Sequence, residues 1–529
     1  MSNALLALLE DAPSAAVAVS DGQRELSFGE LLDDSARAAA GLAALGIGRG
    51  DRVAVWLPNI PAWLLVFFAC ARLGAIAVSV NTRFRAHEVG DIIARSGARV
   101  LVVWPDFHGI DFAGILAAVD DAALAGLEHI VTYGTADEAA AVPASALCGV
   151  PVTPYESWQA LAPLAAVNGS DADRCVIFTT SGTTRAPKFV CHVQRTVAAH
   201  ARDVVAALAL DRPGTRVLQA LPLCGVFGFT QALASLAAAA PMDMLPVFDA
   251  AAAAHCLRTH HVTHMHGVDD MIAALLDHEP QPEPFPALEF IGYAAFNPAL
   301  EDIVERAAAR GVTVCGLYGM SECHALFAIQ PPELPPAERR KGGGRPVSPA
   351  ARIRVRDAES GALLSAGDTG ELEISGPSLF AEYFGDAQAT AAALTDDGYL
   401  RTGDLGYLEP DGRFCYVARM GDVLRLGGFL VSPLEIESVV DAHGTVAASQ
   451  VVAVTLAGRM RPVAFVLAAA TEAVNEAAII AWCGERLASY KVPARVFALD
   501  AFPATASANG TKIQKARLRE MAASLSAAQ

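Results

Sequence analysis

The sequence predicts an α/β protein with a large N-terminal domain of layered α/β lobes plus a β-rich lobe, followed by a small mobile α+β C-terminal domain. The chain has 529 residues, which is more than one ordinary hydrophobic core encloses. Short, β-branched apolar segments alternate with helix-periodic segments as far as Tyr318. A stretch rich in proline and glycine, residues 331–417, then contains strand-like fragments and predicts the β-rich lobe.

The elements follow in a clear order. Residues 31–45 have helical periodicity, and residues 53–57 and 100–103 are short enough and apolar enough for buried strands. The alternation returns at residues 217–318. After Gly421 we expect a hairpin. We also expect helices at residues 432–442 and 472–487 and a strand at residues 461–468. We place the domain boundary near Asp422, which gives domains of residues 1–421 and 422–529.

Composition excludes several classes of protein. A net charge of −18 argues against nucleic acid or an anionic membrane surface as the main partner. The longest apolar stretch, residues 62–80, contains Arg72 and is not expected to span a membrane. The first residues lack a basic leader, so we predict a cytoplasmic protein. The ten cysteines form no CxxC pair, which predicts reduced thiols and no zinc site.

The strongest local signal is residues 178–188, FTTSGTTRAPK, a hydroxyl-rich turn after the apolar strand 175–178. Backbone N–H groups and hydroxyls in such a turn donate to phosphate oxygens, and Lys188 adds a mobile positive charge. A Ser/Thr/Gly turn alone is more often an ordinary loop, but the longer pattern resembles the phosphate loop of the adenylate-forming superfamily. That superfamily includes acyl-CoA ligases, luciferases and peptide-synthetase adenylation domains, and the chain is most like bacterial acyl-CoA ligases.

Further segments resemble the motifs of this superfamily in the same order, from Leu57-Pro58-Asn59 to Leu518-Arg519. The resemblance implies that YGMSE at 318–322 contacts phosphate and magnesium, and that YLRTGD at 399–404 and Arg419 bind the ribose. Residues 292–295 would hold the adenine. The nucleotide-binding residues that the resemblance implies are Thr180, Ser181, Gly182, Thr183, Thr184, Lys188, Gly292, Tyr318, Ser321, Asp404 and Arg419. Glu322 is assigned to magnesium.

The C-terminal region resembles the superfamily in two more places. LGGFLVSPLEIE at 426–437 is similar to a hairpin that lines the pantetheine tunnel, which implies coenzyme A binding at Gly427 and Gly428; a plain structural turn is the alternative. NGTKIQK at 509–515 resembles the segment that carries the adenylation lysine, and we assign that role to Lys512. Lys515 is a weaker candidate, because a solvated surface lysine explains it equally well.

Several positions depart from the superfamily pattern. Arg185 and Phe189 replace glycines of the phosphate loop. Gly421 replaces a lysine beside Asp422, which the resemblance implies is the hinge about which the small C-terminal domain turns. Either loop change could disturb ATP binding.

The segment PLCGVFG at 222–228 replaces an aromatic pair with Cys224 and Gly225, so we expect an acyl pocket with room for a large apolar acid. The segment 259–266 carries four histidines. Strand alternation would put His260, His264 and His266 on one face and His261 on the other. A metal site is the less favoured interpretation, and we assign His264 to the acyl pocket.

These observations predict an AMP-forming acid:coenzyme A ligase that uses ATP, Mg²⁺ and coenzyme A to convert a bulky hydrophobic acid through an acyl-AMP to its thioester. One alternative is an adenylation-deficient enzyme that accepts only a preformed acyl-adenylate; another is an adenylation enzyme that loads a carrier protein. A luciferase-like oxygenase and a non-catalytic nucleotide sensor are less favoured. The oligomeric state is open, with a homodimer as one option.

Overall fold

The computed structural model describes residues 4–107, 109–134, 147–180, 187–297, 300–420, 424–426, 429–431, 433–456, 459–469, 474–487, 489–507 and 510–527. The chain divides into two compact units. Unit 1 contains the described residues of 1–181, 187–352 and 374–400, and unit 2 contains those of 353–373 and 401–529. The boundary and hinge predicted at Asp422 fall in residues 421–423, which lie outside the described residues, and they stay predictions.

The strands, in chain order, are β1 Val17–Ser20, β2 Glu25–Ser27, β3 Arg52–Trp56, β4 Ile76–Ser79, β5 Val100–Val103, β6 Asp106–Phe107, β7 Ile110–Asp111, β8 His129–Thr132, β9 Val152–Pro154, β10 Arg174–Thr179, β11 Phe189–Val193, β12 Val217–Gln219, β13 Met242–Met244, β14 His264–Val268, β15 Phe290–Ala294, β16 Val314–Met320, β17 His324–Ile329, β18 Gly343–Pro346, β19 Arg352–Arg356, β20 Gly370–Ser375, β21 Glu382–Tyr383, β22 Leu400–Leu408, β23 Phe414–Arg419, β24 Leu424–Leu426, β25 Phe429–Val431, β26 Val446–Leu456, β27 Arg459–Ala468, β28 Arg495–Ala498, β29 Ala504–Ser507 and β30 Gly510–Ile513.

The α-helices are α1 Ala7–Glu10, α2 Phe28–Ala44, α3 Pro61–Leu73, α4 Ala86–Ser96, α5 Phe112–Ala117, α6 Asp121–Leu124, α7 Gln194–Leu208, α8 Val226–Ala237, α9 Ala250–Thr259, α10 Asp269–His278, α11 Ile303–Ala308, α12 Pro336–Arg339, α13 Ala387–Ala393, α14 Pro433–Asp441, α15 Glu476–Gly484 and α16 Lys515–Ala527. Two 3-10 turns cover Tyr155–Ala160 and Ser321–Cys323. No helix in the described ranges is long and apolar enough to cross a membrane.

Unit 1 contains two mainly parallel sheets. One has the strand order β21-β11-β10-β4-β3-β5-β8-β9, in which β10 pairs parallel with β4 and antiparallel with β11. The other runs β18-β17-β16-β15-β14-β12-β13-β1-β2, and it is parallel from β16 to β1. The carboxyl ends of parallel strands meet at one edge of each sheet, and ligands bind at that edge in open α/β sheets.

The longest apolar stretch of the sequence forms α3 and β4 in the interior of unit 1. Every residue of α3 is buried. Pro61 occupies the first turn, where its missing N–H costs nothing, and Gly74 ends the helix with φ +74°. Arg72 reaches the carbonyl oxygen of Leu164 with Nη1 at 3.3 Å, so the one charge in this stretch has a polar partner inside the protein.

Unit 2 is built from smaller sheets. β19, β20, β22 and β23 are neighbours in that order, β24 pairs with β25, and β29 pairs with β30. β26, β27 and β28 form a three-stranded sheet. Helix α14 packs on this sheet through Ile436 and Val440, and α16 packs on it through Leu518 and Ala522.

Candidate functional site

The predicted phosphate turn joins β10 to β11, whose ends pair at Thr179 and Phe189. The Thr180 N–H donates to the Lys188 carbonyl at 3.0 Å, and the Lys188 N–H donates to Thr180 Oγ1 at 3.2 Å, so the base of the turn is closed. The remaining predicted phosphate contacts, Ser181, Gly182, Thr183 and Thr184, lie outside the described residues, as does Arg185.

Phe189 has a structural role that explains why it replaces a glycine. Its side chain is buried in a core cluster with residues of β3, β4 and α4. The Arg95 guanidinium lies 4.4 Å from the centre of the Phe189 ring and also donates to the Pro187 carbonyl at 2.8 Å. Phe189 therefore anchors the end of the phosphate turn to the core, because it adds apolar burial and a cation–π contact.

The YGMSE segment turns sharply between two antiparallel strands. β16 ends at Met320, the 3-10 turn follows, and β17 starts at His324. Gly319 lies so close to β17 that a Cβ atom there would be 2.6 Å from Cα of Ala325, so this position requires glycine. Glu322 is buried, and its main-chain carbonyl accepts a hydrogen bond from the Phe380 N–H at 2.7 Å.

Lys188 and Glu322 both contact the side chain of Tyr383. The Tyr383 hydroxyl donates to Glu322 Oε1 at 2.7 Å, and Lys188 Nζ lies 4.2 Å from the centre of the Tyr383 ring. The sequence analysis did not identify Tyr383. A single aromatic residue in a two-residue strand carries no periodic signal, so only the fold brings it to this place.

Three histidines support the turn that carries Ser321 and Glu322. The His192 and His324 rings stack at 3.8 Å between centroids, and His200 stacks on the other side of His324 at 5.1 Å. Nε2 of His192 lies 2.7 Å from the Ser321 carbonyl, and Nε2 of His200 lies 2.8 Å from the Ala325 carbonyl. Both nitrogens must therefore donate. Burial lowers the pKa of His192 and of His200 to about 4, and it lowers that of His324 well below its usual value.

The predicted adenine segment forms the end of β15. The Gly292 N–H donates to His266 Nδ1 at 3.2 Å. The loop after β15 is held by the Asp269 carboxylate, which the sequence analysis did not identify. Asp269 Oδ2 accepts from the Phe296 N–H at 2.7 Å and from the Asn297 N–H at 2.6 Å. Burial raises the pKa of Asp269, and these hydrogen bonds oppose the rise.

The turn with Cys224 and Gly225 follows β12 and is fixed from two sides. Asn59 Nδ2 donates to the Leu221 carbonyl at 2.7 Å, and Asn59 Oδ1 accepts from the Leu223 N–H at 2.7 Å. The Ser79 hydroxyl donates to the Cys224 carbonyl at 2.7 Å. Asn59 belongs to the Leu57-Pro58-Asn59 segment, so that segment holds the predicted acyl-pocket turn in place. Burial raises the pKa of Cys224 to about 11, which keeps it a thiol at neutral pH.

The predicted strand through the four histidines is wrong for its first half. Helix α9 extends to Thr259, and His261 has φ +53°, so the chain becomes extended only at His264. His260 faces Asp243, with Nδ1 3.2 Å from Oδ2. His264 lies at the amino end of β14 and contacts Thr263 Oγ1 through Nδ1 at 2.8 Å. Its acyl-pocket role stays a prediction.

In unit 2, the two predicted ribose contacts face each other across β22 and β23. Asp404 is directly opposite Arg419 in the antiparallel pair, and Arg419 Nη1 lies 2.8 Å from Asp404 Oδ1. Arg419 also donates to the Thr402 carbonyl at 2.9 Å, which fixes the guanidinium over Gly403.

The C-terminal segment separates its two lysines. Lys512 lies in β30 opposite Thr505. Lys515 begins α16, and its Nζ lies 2.8 Å from Oε1 of the buried Glu437. The alternative of a solvated surface lysine is therefore wrong for Lys515, because an ion pair to a buried carboxylate accounts for it. Gly427, Gly428 and Asp422 lie outside the described residues.

The donor groups fit magnesium and a nucleotide. Carboxylate oxygens are ligands that Mg²⁺ prefers, and Glu322 presents a buried carboxylate next to the lysine of the phosphate turn. The Asp404 carboxylate is a suitable acceptor for the two hydroxyls of a ribose.

Comparison with known proteins shows the family of the chain. The sequence profile of the AMP-binding enzyme family matches residues 9–384, and the profile of the AMP-binding enzyme C-terminal domain matches residues 435–509. The chain is 32% identical to the 3-[(3aS,4S,7aS)-7a-methyl-1,5-dioxo-octahydro-1H-inden-4-yl]propanoyl:CoA ligase of Mycobacterium tuberculosis, with 98% of each chain covered. It is 31% identical to the sulfoacetate–CoA ligase of Cupriavidus necator, with 89% of this chain and 88% of that relative covered.

Among solved structures, the chain is similar to o-succinylbenzoate CoA synthetase (MenE) from Bacillus subtilis in complex with ATP and magnesium ion. The TM-score is 0.79 and the identity 25%, over 98% of this chain and 99% of the other. The fold and site thus define an α/β enzyme of the adenylate-forming superfamily, as predicted. The chain belongs to the AMP-binding enzyme family, and its relatives include acyl-CoA ligases.

Proposed function

We propose that this protein is an AMP-forming acid:coenzyme A ligase whose substrate is a bulky, largely hydrophobic carboxylic acid. In the first half-reaction the carboxylate attacks the α-phosphorus of ATP, pyrophosphate leaves and acyl-AMP forms. In the second, the thiolate of coenzyme A attacks the acyl carbon and AMP leaves. The observation that carries this proposal is that Lys188, at the end of the phosphate turn, and Glu322 both contact Tyr383.

Each proposed role follows from the chemistry of the residue. Lys188 offers a point charge to the phosphates, and Glu322 offers a carboxylate oxygen to Mg²⁺, which offsets charge on the phosphate oxygens when it is bound. Asp404 and Arg419 bind the ribose. Lys512 compensates the charge that develops on the α-phosphate, and Gly427 and Gly428 admit the pantetheine arm. The attacking carboxylate is already a nucleophile, so positioning and charge compensation supply most of the rate enhancement.

The proposed acid class rests on the turn between β12 and α8. Cys224 and Gly225 have small side chains. Gly228 cannot be replaced by a residue with a side chain, because a Cβ atom there would be 2.4 Å from the Pro222 carbonyl oxygen. We infer room for a large acid from the small size of Cys224 and Gly225 at this turn. The relative with a bicyclic propanoyl substrate supports a large acid, whereas sulfoacetate, named for another relative of nearly equal identity, is small. Identity alone thus does not select the acid.

The test is a panel of acids that differ in size, from acetate and sulfoacetate to ring-bearing propanoic acids. Each is supplied with ATP, Mg²⁺ and coenzyme A, while pyrophosphate and acyl-CoA are measured together. Preformed acyl-adenylates and a phosphopantetheinylated carrier protein run in parallel. We expect pyrophosphate and thioester in equal amounts with large acids and free coenzyme A.

Three other results would contradict parts of the proposal. Turnover of the small acids alone would contradict the proposal that the substrate is a bulky hydrophobic acid. If thioester forms only from preformed acyl-adenylates, the enzyme has lost adenylation. Of the two loop changes that suggested such a loss, Phe189 is in the described residues, and its packing in the core accounts for it. Transfer to the carrier protein alone would change the thiol acceptor.

A further inference from the structure

A single aromatic side chain contacts both of the oppositely charged groups that we propose to contact magnesium–ATP. The Tyr383 hydroxyl donates to Glu322 Oε1 at 2.7 Å, and the face of its ring lies 4.2 Å from Lys188 Nζ. Tyr383 is 5% exposed and Glu322 is 6% exposed, so water screens the Glu322 carboxylate weakly, whereas Lys188 is an exposed residue.

The position of Tyr383 is fixed by the backbone on both sides. Val190 pairs with Tyr383 where β21 joins β11, and the Phe384 N–H donates to the Phe189 carbonyl at 2.7 Å. The Tyr383 N–H donates to Thr390 Oγ1 at 2.9 Å. Strand β11 begins directly after Lys188. The pairing of β21 with β11 therefore fixes the position of Tyr383 relative to Lys188.

Electrostatics give this arrangement a function. An ammonium and a carboxylate at contact distance attract each other, and burial of the carboxylate strengthens the attraction, so the resulting ion pair would withdraw both charges from a ligand. The tyrosine gives each group another partner. Its ring face attracts the ammonium, and its hydroxyl satisfies one carboxylate oxygen without neutralising the charge.

We propose that Tyr383 is a positioning residue for magnesium–ATP. Its ring holds the Lys188 ammonium for the phosphates, its hydroxyl orients the Glu322 carboxylate for the metal, and its bulk keeps the two groups from pairing with each other. This inference rests on the proposed function, since it assumes that Lys188 and Glu322 serve ATP and Mg²⁺.

The test uses the full-length protein and two substitutions that divide the two roles of the side chain. Tyr383→Phe removes the hydroxyl and keeps the ring, whereas Tyr383→Leu removes both. The binding of ATP is measured by calorimetric titration at a series of Mg²⁺ concentrations, which needs no knowledge of the acid. The KM values for ATP and for the acid are measured where a substrate has been found.

For Tyr383→Phe we expect the Mg²⁺ concentration for half-maximal ATP binding to rise about tenfold, the loss typical of one hydrogen bond to a charged group. ATP affinity at saturating Mg²⁺ and the KM for the acid should stay within about twofold of the wild type by the same reasoning. For Tyr383→Leu we expect ATP affinity at saturating Mg²⁺ to fall as well, because Lys188 can then pair with Glu322.

The matched control is Tyr155→Phe, which alters another buried tyrosine of unit 1, packed against Tyr133 and Trp158. It should leave the Mg²⁺ dependence unchanged. If the wild type does not bind magnesium–ATP, the proposed function itself fails. If the wild type binds and Tyr383→Phe has an unchanged Mg²⁺ dependence, the inference is overturned. It is also overturned if both Tyr383 variants lower the unfolding midpoint and every affinity in parallel, since Tyr383 would then have only a structural role.

Discussion

Arg419 Nη1 lies 2.8 Å from Asp404 Oδ1 because the two residues are direct partners in the antiparallel pair of β22 and β23. Asp404 is buried, while half of the Arg419 side chain is exposed. The arginine therefore holds a buried carboxylate in one orientation and still presents part of its guanidinium to the surface. Such a preformed pair reduces the conformational entropy lost when a ribose binds.

The first prediction concerns Asp404→Asn. An amide presents one acceptor oxygen in place of two and carries no charge, so it binds a diol less well and no longer offers Arg419 the Asp404 carboxylate. We expect AMP and ATP affinity to fall by about tenfold or more, which corresponds to about 1.4 kcal/mol. Titration of AMP into the protein checks this.

A suitable control is Asp411→Asn, in the turn of the same hairpin, where Asp411 Oδ2 lies 2.7 Å from Arg413 Nε. This variant also removes a carboxylate–arginine pair but should leave AMP affinity unchanged. Equal losses in the two variants would mean that the hairpin as a whole, and not the Asp404 carboxylate, governs nucleotide binding.

The second prediction concerns Lys512→Ala. Removing a charge that acts only while the α-phosphate is attacked slows the first half-reaction and spares the second. We expect pyrophosphate release to fall by at least about a hundredfold, whereas thioester formation from supplied acyl-adenylate changes by less than about threefold. Equal loss in both half-reactions would remove the assignment.

The third prediction concerns Lys515→Met, a substitution three residues after Lys512. Glu437 Oε1 would keep its hydrogen bond from the Val451 N–H at 2.7 Å but lose its cation. A buried carboxylate without its cation costs stability, so we expect the free energy of unfolding to fall by about 1 to 3 kcal/mol. Urea unfolding measures this. The combined variant with Glu437→Gln should recover part of the loss, whereas additive losses would show that the pair does not interact.

The fourth prediction is a pH dependence that arises from the histidine stack. His200 has a pKa lowered to about 4 by burial, against about 6.5 for an exposed histidine. The unfolded chain therefore binds a proton first, and stability falls as the pH decreases from about 6.5 to about 4. We expect His200→Gln to reduce the slope of unfolding free energy in this window by up to about 1.4 kcal/mol per pH unit.

Glutamine can still donate to the Ala325 carbonyl, so the backbone contact need not be lost. The control is His87→Gln, at an exposed histidine of α4. An unchanged slope in His200→Gln would mean that other groups carry the acid sensitivity, among them His192 and His324, which share the stack.

Much of the fold could be predicted because its signals are local. Helix α2 covers the predicted periodic run and begins with a capping box, in which Ser27 and Glu30 satisfy each other's backbone N–H groups. β5 coincides with the predicted strand at 100–103. In unit 2, α14, α15 and β27 lie where helical and apolar patterns predicted them. Helix α16 was not predicted, although Leu518, Met521 and Ala522 recur at the spacing of one helical face, a signal that the sequence analysis missed.

The site could be predicted only where a residue belongs to a contiguous motif. Glu322 and Asp404 stand in such motifs, whereas Tyr383 and Asp269 act through contacts with residues 61 and 27 positions away, respectively. The histidine stack depends on positive φ at His324 and on the pairing of separate elements, which a sequence pattern does not encode. The misassigned strand at His260 has the same origin, since a helix end overrode an alternating pattern.

The fifth prediction tests the proposed size of the acid through Cys224. The Ser79 hydroxyl donates to the Cys224 carbonyl, and Asn59 Oδ1 accepts from the N–H of the preceding residue, Leu223. Because these bonds are made to the backbone of the turn, Cys224→Phe can add a ring without removing them. The added ring occupies the space that we assign to the acid. For the best large acid we expect kcat/KM to fall at least about tenfold, with the KM for ATP within about twofold. Cys224→Ser, which conserves size, should retain activity. A Phe variant that turns over large acids as well as the wild type would place the acyl group elsewhere.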